Sequence, residues 1–99
     1  MVKKRYFDMY ESGIKDVELR DIKPQWKNTK VGDVATILCG RKILRKKIKS
    51  IHRGTFGAIV YEVGGYRRIF PNAKNVLEML REKKQLYPDA EEFLGFELE

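Results

Sequence analysis

The sequence predicts an α+β fold with a mostly antiparallel sheet and short flanking helices. Three observations carry that prediction. Apolar and polar residues alternate near both ends, at residues 17–20 and 94–98, as half-buried strands require. Helical spacing occurs in two separate short segments, at Tyr6, Met9 and Tyr10 and again at Val76, Leu77 and Leu80. No regular alternation of strands with helices connects them, which argues against a parallel α/β sheet.

Taken in order, the first element is a short helix, with Gly13 as its C-terminal cap. A strand follows at residues 17–20. Pro24 opens a polar loop that carries Trp26. Residues 30–33 (Lys-Val-Gly-Asp) form a turn, in which Asp33 bonds back to its own backbone. The turn leads into residues 34–39, which are apolar on both faces and are therefore expected as a central strand. Residues 41–51 follow Gly40 at hairpin distance. Leu44, Ile48 and Ile51 also fit helical spacing, but β-branched Ile43, Ile48 and Ile51 favour a strand there, with a bulge that absorbs the broken alternation. Residues 55–63 fit either a strand or a helix capped by Gly64. Asn75 and Glu78 have the spacing of a capping box, and Val76, Leu77 and Leu80 form an apolar stripe behind it. Pro88 ends that helix near Tyr87. The chain closes on a strand with Leu94, Phe96 and Leu98 on a buried face and Gly95, Glu97 and Glu99 opposite.

At 99 residues the chain matches one domain, residues 1–99, and 42% hydrophobic content supplies one core without disulfides. Cys39 is the only cysteine, so an internal disulfide and a four-cysteine zinc site are both excluded. No apolar run approaches the ~20 residues needed to span a bilayer. The basic start lacks the apolar stretch of a signal peptide. A cytoplasmic protein without a membrane partner is expected.

Lysines and arginines number 21 against 14 acids, a net charge of +7. Arg41, Lys42, Arg45, Lys46, Lys47 and Lys49 follow one another with no acid among them, whereas residues 89–99 carry acids and no base. That asymmetry gives the folded chain a positive side able to attract polyanions. A high charge fraction that serves only solubility, or stability in a hot organism, reads the same way.

The segment richest in chemistry is residues 12–20. Lys15, Glu18 and Arg20 fall within six residues at a helix-to-strand junction. Period-two geometry puts Glu18 and Arg20 on one strand face, and the long Lys15 side chain reaches the same face from the turn. A carboxylate between two cations stays ionised and accepts hydrogen bonds from a base or sugar. An exposed cluster of ion pairs has the same composition.

Gly13, Lys15, Glu18 and Arg20 reproduce the G-x-K-x-x-E-x-R signature, and the chain resembles the ASCH domain family at all four positions. An aromatic-rich helix before the motif, the Val31-Gly32-Asp33 turn after it, the Phe70-Pro71 pair, a late helix and a closing strand extend the resemblance over nearly the whole chain. It implies a small, mixed, mostly antiparallel β-barrel of the PUA-like superfamily, with a cleft lined by Lys15, Glu18 and Arg20 and a tight turn at Gly13. It further implies RNA binding or, in some members, RNA cleavage or deacylation of N-acetylated cytidine. The deacylating members carry a threonine where this chain has Glu18. That departure removes the hydroxyl nucleophile and counts against amidohydrolase activity.

Other residues suit a nucleotide beside that cleft. Trp26, with Lys27 next to it, either stacks on a base or covers the core. Gly64-Gly65 followed by Arg67 and Arg68 either grips a phosphate or forms an ordinary turn. His52 is the sole histidine and has no ligand spacing around it, so it either has no catalytic role, the favoured reading, or acts as a general base. Cys39, in an apolar strand, reads as a buried inert thiol. No phosphate loop or dinucleotide fingerprint is present, and no cofactor or metal is expected.

The favoured function is therefore an RNA- or nucleotide-binding module. Arg41, Lys42, Arg45, Lys46 and Lys47 would hold phosphates while Lys15, Glu18 and Arg20 read one nucleotide. The first alternative is a small hydrolase, a ribonuclease or nucleoside amidohydrolase, with Glu18 as base and Lys15 stabilising developing charge. The second is a domain that docks an acidic protein partner.

Overall fold

The computed structural model describes residues 2–99. Its elements are α1 (Lys4–Ser12), β1 (Val17–Asp21), a 3₁₀ turn (Pro24–Trp26), β2 (Val34–Cys39) and β3 (Lys42–Gly54). They are followed by α2 (Phe56–Val63), a second 3₁₀ turn (Tyr66–Arg68), α3 (Val76–Leu86) and β4 (Phe93–Leu98). The four strands form an antiparallel half-barrel in the order β1-β4-β3-β2. No helix among the described residues is long and apolar enough to cross a membrane.

The last strand in the sequence is thus inserted between β1 and β3. Both of its faces are covered. Phe96 and Leu98 are buried, as their alternation predicts, but so are Phe93 and Gly95 on the face expected to meet solvent. Gly95 lies directly beneath α2: a Cβ built there would stand 2.7 Å from Ile59 Cγ2. The absence of a side chain is what lets the helix reach the sheet. The expectation of one buried face on β4 is corrected accordingly.

β2 shows the opposite error. Its two apolar faces predict a central strand, yet it is the sheet edge. Ile37 packs inward, whereas Val34 and Leu38 are exposed. The amide of Val2 donates to the Leu38 carbonyl at 2.8 Å and so occupies part of the free edge.

β3 is a long strand, with a register shift between Ile48 and Ser50 where a bulge was expected. The undecided segment before Gly64 is a helix. Thr55 Oγ1 accepts from the Ala58 amide at 3.2 Å, and Phe56, Ile59 and Val63 recur at helical spacing on its buried side. Gly64, at φ 87°, closes it.

α3 begins at the capping box. Asn75 Oδ1 accepts from the Glu78 amide at 3.0 Å, and Glu78 Oε1 accepts from the Lys74 amide at 3.2 Å, one residue before the cap. The apolar stripe of Val76, Leu77 and Leu80 faces outward, while Met79 and Glu82 are buried.

The Gly95–Ile59 contact yields a stability test. Gly95→Ala is expected to cost about 1–3 kcal/mol by overpacking, read as a lower urea midpoint. In an Ile59→Ala background the same substitution should cost much less, because the opposing methyl is gone. Equal costs in both backgrounds would show that α2 does not depend on this approach.

Candidate functional site

The site is built where α1 hands the chain to β1. Gly13, at φ 82°, ends α1 in the left-handed conformation that glycine adopts without strain. The Lys15 amide donates to the Met9 carbonyl at 3.0 Å, and this turn aims the Lys15 side chain inward rather than into water.

Lys15 is buried. Its Nζ donates to the Val17 carbonyl at 3.0 Å and to the Ile69 carbonyl across the fold. The rings of Tyr10, Phe70 and Tyr6 lie with their centroids 5.1, 5.5 and 5.7 Å from it, within cation–π range. Burial pulls its pKa down to about 7, against the opposing charges of Glu18, Glu82 and Asp16.

Glu18 and Arg20 project from the same face of β1, and the guanidinium grips the carboxylate through Nε and Nη2. Glu18 is buried, so this is not a solvated surface pair. The carboxylate expected between two cations is hydrogen-bonded by only one of them. Among the described residues, Lys15 donates to backbone carbonyls, and only Arg20 bonds Glu18. Lys15 acts on Glu18 through its field alone.

Together these side chains line a cleft of about 280 Å³, with Tyr6, Tyr10 and Tyr87 as its aromatic walls. The Tyr87 hydroxyl donates to the Leu19 carbonyl, and burial pushes its pKa up to about 12. Tyr6 is likewise pushed up to about 12, first by burial and then by its hydrogen bond to Glu82. Asn72 Nδ2 also donates to Glu82, at 3.0 Å. Glu82, a carboxylate of α3, therefore fixes the ring that forms one wall. Sequence reading passed over it because it stands in a run of charged residues. Its one signal was the three-residue step from Met79, the other buried position of α3. Tyr6, Tyr10 and Tyr87 were legible as aromatics but not as walls of one cleft.

The remaining predicted residues fall elsewhere. Arg68 makes a two-pronged pair with Asp16, both distances 2.9 Å, and donates to the Val63 carbonyl at 2.7 Å. Its guanidinium is spent on tying the second 3₁₀ turn to the start of β1, so the paired-arginine phosphate grip is corrected. Arg67 is exposed beside the Tyr66 ring. Trp26 stands outside the cleft, on the far side of Arg20, with its ring 5.5 Å from that guanidinium and edge-on to Phe96. Lys27 accompanies it there.

The basic run does not form one face. Lys42 and Lys46 share a side of β3 with buried Ile48, and Lys42 Nζ lies 5.9 Å from the Phe7 ring centroid. Arg45 and Lys47 point the other way, opposite Thr36 and Val34 of β2, and Arg41 sits in the hairpin turn. Gly32, at φ 96°, makes the preceding turn, and Asp33 Oδ2 accepts from the Lys30 amide at 2.9 Å. His52 binds Glu97 at 3.0 Å on the α2 side of the sheet, away from the cleft.

This is the architecture of a small α+β half-barrel with a buried-lysine cleft at one strand end. No protein-family model matches the chain, and no curated protein does. Among solved structures, the crystal structure of hypothetical protein PH0355 matches with a TM-score of 0.81, covering 99% of this chain and 93% of that one at 22% identity. At that identity the likeness carries the fold alone.

Lys15 gives the cleft a pH signature. The folded side chain releases its proton near pH 7, the unfolded one only near 10.5. Between those values the unfolded state binds more protons, so this group makes stability rise with pH. Lys15→Met removes that contribution. Between pH 7 and 10, urea midpoints of the wild type should therefore gain on those of Lys15→Met. A constant difference across that range would mean that the ammonium stays charged in the fold.

Proposed function

We propose that the chain is a PUA-like barrel of the ASCH type that binds RNA, or a nucleotide derived from it, in the cleft of Lys15, Glu18 and Arg20. One observation carries this reading: a recess walled by three tyrosines holds a carboxylate immobilised by its own guanidinium. The aromatic walls suit the faces of a base. A fixed carboxylate accepts from an exocyclic amino group or a sugar hydroxyl. Of the three donors on the Lys15 ammonium, two are engaged by carbonyls, which leaves one for a ligand oxygen. A volume of about 280 Å³ sits at the lower end of small-molecule sites, the scale of one nucleoside rather than a folded motif.

Further phosphate contacts would come from the hairpin, where Arg45 and Lys47 lie on the side of the sheet opposite the Glu18–Arg20 face and meet the strand beyond the cleft. Among the described residues, Arg41, Arg45 and Lys47 form no ion pair, so their charge is free to meet a polyanion. Titration of the protein with labelled single-stranded RNA should show affinity falling by orders of magnitude from low to moderate salt. An Arg45→Gln/Lys47→Gln variant should bind more weakly, with the log–log salt slope reduced by about 1.4 if each side chain meets one phosphate of a single strand. Affinity that is flat with salt, or absent for every RNA and nucleotide tried, would overturn the reading.

A hydrolytic reading is favoured by a separate observation, a buried lysine beside a carboxylate, with its pKa pulled down by burial to about 7. Glu18→Gln separates the two. In a binding module it changes RNA affinity in a protein that still folds by circular dichroism. In a hydrolase it leaves binding in place and lowers turnover of RNA or acetylcytidine by about 10²–10⁴-fold.

A further inference from the structure

The register of the sheet places a second recess on the same face as the motif. Glu18 pairs with Phe96, and Phe96 with Ile51; Arg20 pairs with Leu94, and Leu94 with Arg53. These two rows run from the motif strand across β4 to β3, a distance of two strand spacings, roughly 10 Å. Where they leave the cleft they form the floor of a groove of about 590 Å³, closed on one side by Trp26. Lys23, Lys27 and Arg53 also line it, and no carboxylate does. Two acids outside its lining, Asp21 and Glu92, reach Lys23 at 3.8 Å and Arg53 at 3.5 Å. Lys27 forms no ion pair among the described residues. Arg20 stands between the two: its guanidinium grips Glu18 in the cleft, and its Cζ lies 5.5 Å from the centroid of the Trp26 ring that lines the groove.

We infer that this groove is a second nucleotide subsite, in which a base stacks against Trp26 over Phe96 and its phosphate is met by Lys23, Lys27 and Arg53. The inference rests on the nucleotide reading of the neighbouring cleft and extends it. The ligand becomes a single strand at least two nucleotides long, laid across the sheet with Arg20 between the two bases. An aromatic wall, an apolar floor and an acid-free cationic rim select this occupant. An apolar peptide would leave Lys27 without a counter-charge, and a bare anion would leave the aromatic wall unused.

Trp26 is the only tryptophan, so emission excited at the red edge of the protein absorption, where tyrosine does not absorb, reports on this groove. The experiment titrates it with a 5′-fluorescein-labelled eight-nucleotide single-stranded RNA, and with a single adenosine monophosphate, a matched DNA and polyglutamate. Label anisotropy and tryptophan emission are read on the same samples. The expected result is that emission is quenched in step with the anisotropy rise, and that the oligonucleotide binds more tightly than the mononucleotide. Trp26→Ala should weaken oligonucleotide binding roughly 5- to 150-fold, while Trp26→Phe retains most of it. Lys23→Gln/Lys27→Gln, which leaves the Trp26–Phe96 packing untouched, should weaken it as well. Rising anisotropy with unchanged emission and wild-type affinity in the lysine variant would overturn the second subsite and leave the cleft reading standing. Quenching or displacement by polyglutamate at RNA-like concentrations would assign the cations to a protein partner and overturn the subsite. If no nucleic acid or nucleotide binds at all, the cleft reading falls, and this inference with it.

Discussion

Taking an ammonium out of water is expensive, and the fold has to offset that cost where Lys15 enters it. It does so with two backbone carbonyls from separate parts of the chain and three aromatic rings. The Val17 carbonyl belongs to the first strand, and the Ile69 carbonyl follows the second 3₁₀ turn, so one side chain ties together segments more than fifty residues apart. Tyr6 and Tyr10 come from α1 and Phe70 from the far loop. The cleft exists because these groups converge on one nitrogen. Glu18 and Arg20 then occupy the space left between the lysine and the sheet face. Such a centre contributes little by itself to net stability; what it fixes is the relative placement of α1, β1 and the loop that carries Phe70.

The local signals of the sequence proved sound wherever the chain decides its own conformation. Gly13 ends α1, Asn75 and Glu78 cap α3, Asp33 closes its turn, and the broken alternation of β3 is a bulge. Burial was legible only in part, because it depends on neighbours far along the chain. β2 carries apolar residues on both faces but acquires no second strand beside it. β4 carries glutamates yet lies at the centre, since α2 covers the face that holds Gly95 and Glu97. A single glycine in a strand gave the clue to that close approach, and only knowledge of α2 turns it into a statement about packing. Residues 55–63 stayed open because their β-branched residues pull towards a strand. The Thr55 cap and the 3–4 spacing of Phe56, Ile59 and Val63 outweigh them.

The motif itself transferred well from sequence to space, since period-two geometry leaves Glu18 and Arg20 little choice of face. The basic run did not, for the same reason. Alternation along β3 sends Lys42 and Lys46 towards the side of Ile48 and Arg45 and Lys47 to the other side. A linear count of six cations therefore overstates the charge that any one surface presents. Arg68 shows a second limit. Its partner Asp16 is 52 residues away, so no inspection of its neighbours could reveal that the guanidinium is already satisfied.

Arg20 then decides how the sheet face divides. A lysine there could neutralise Glu18 as a point charge, but it could not also lay a planar group against Trp26. The guanidinium does both: Nε and Nη2 hold the carboxylate, and its central carbon lies 5.5 Å from the centroid of the indole, within cation–π range. Fixed between them, it separates a small polar recess containing a buried ammonium from a wider apolar groove with an exposed cationic rim. The two recesses differ in what they can distinguish. The first offers directional acceptors and donors close to the reach of one base. The second offers a π-face and diffuse positive charge, which accept any base. On the proposed nucleotide reading, a strand crossing both would be read at one position and merely held at the next.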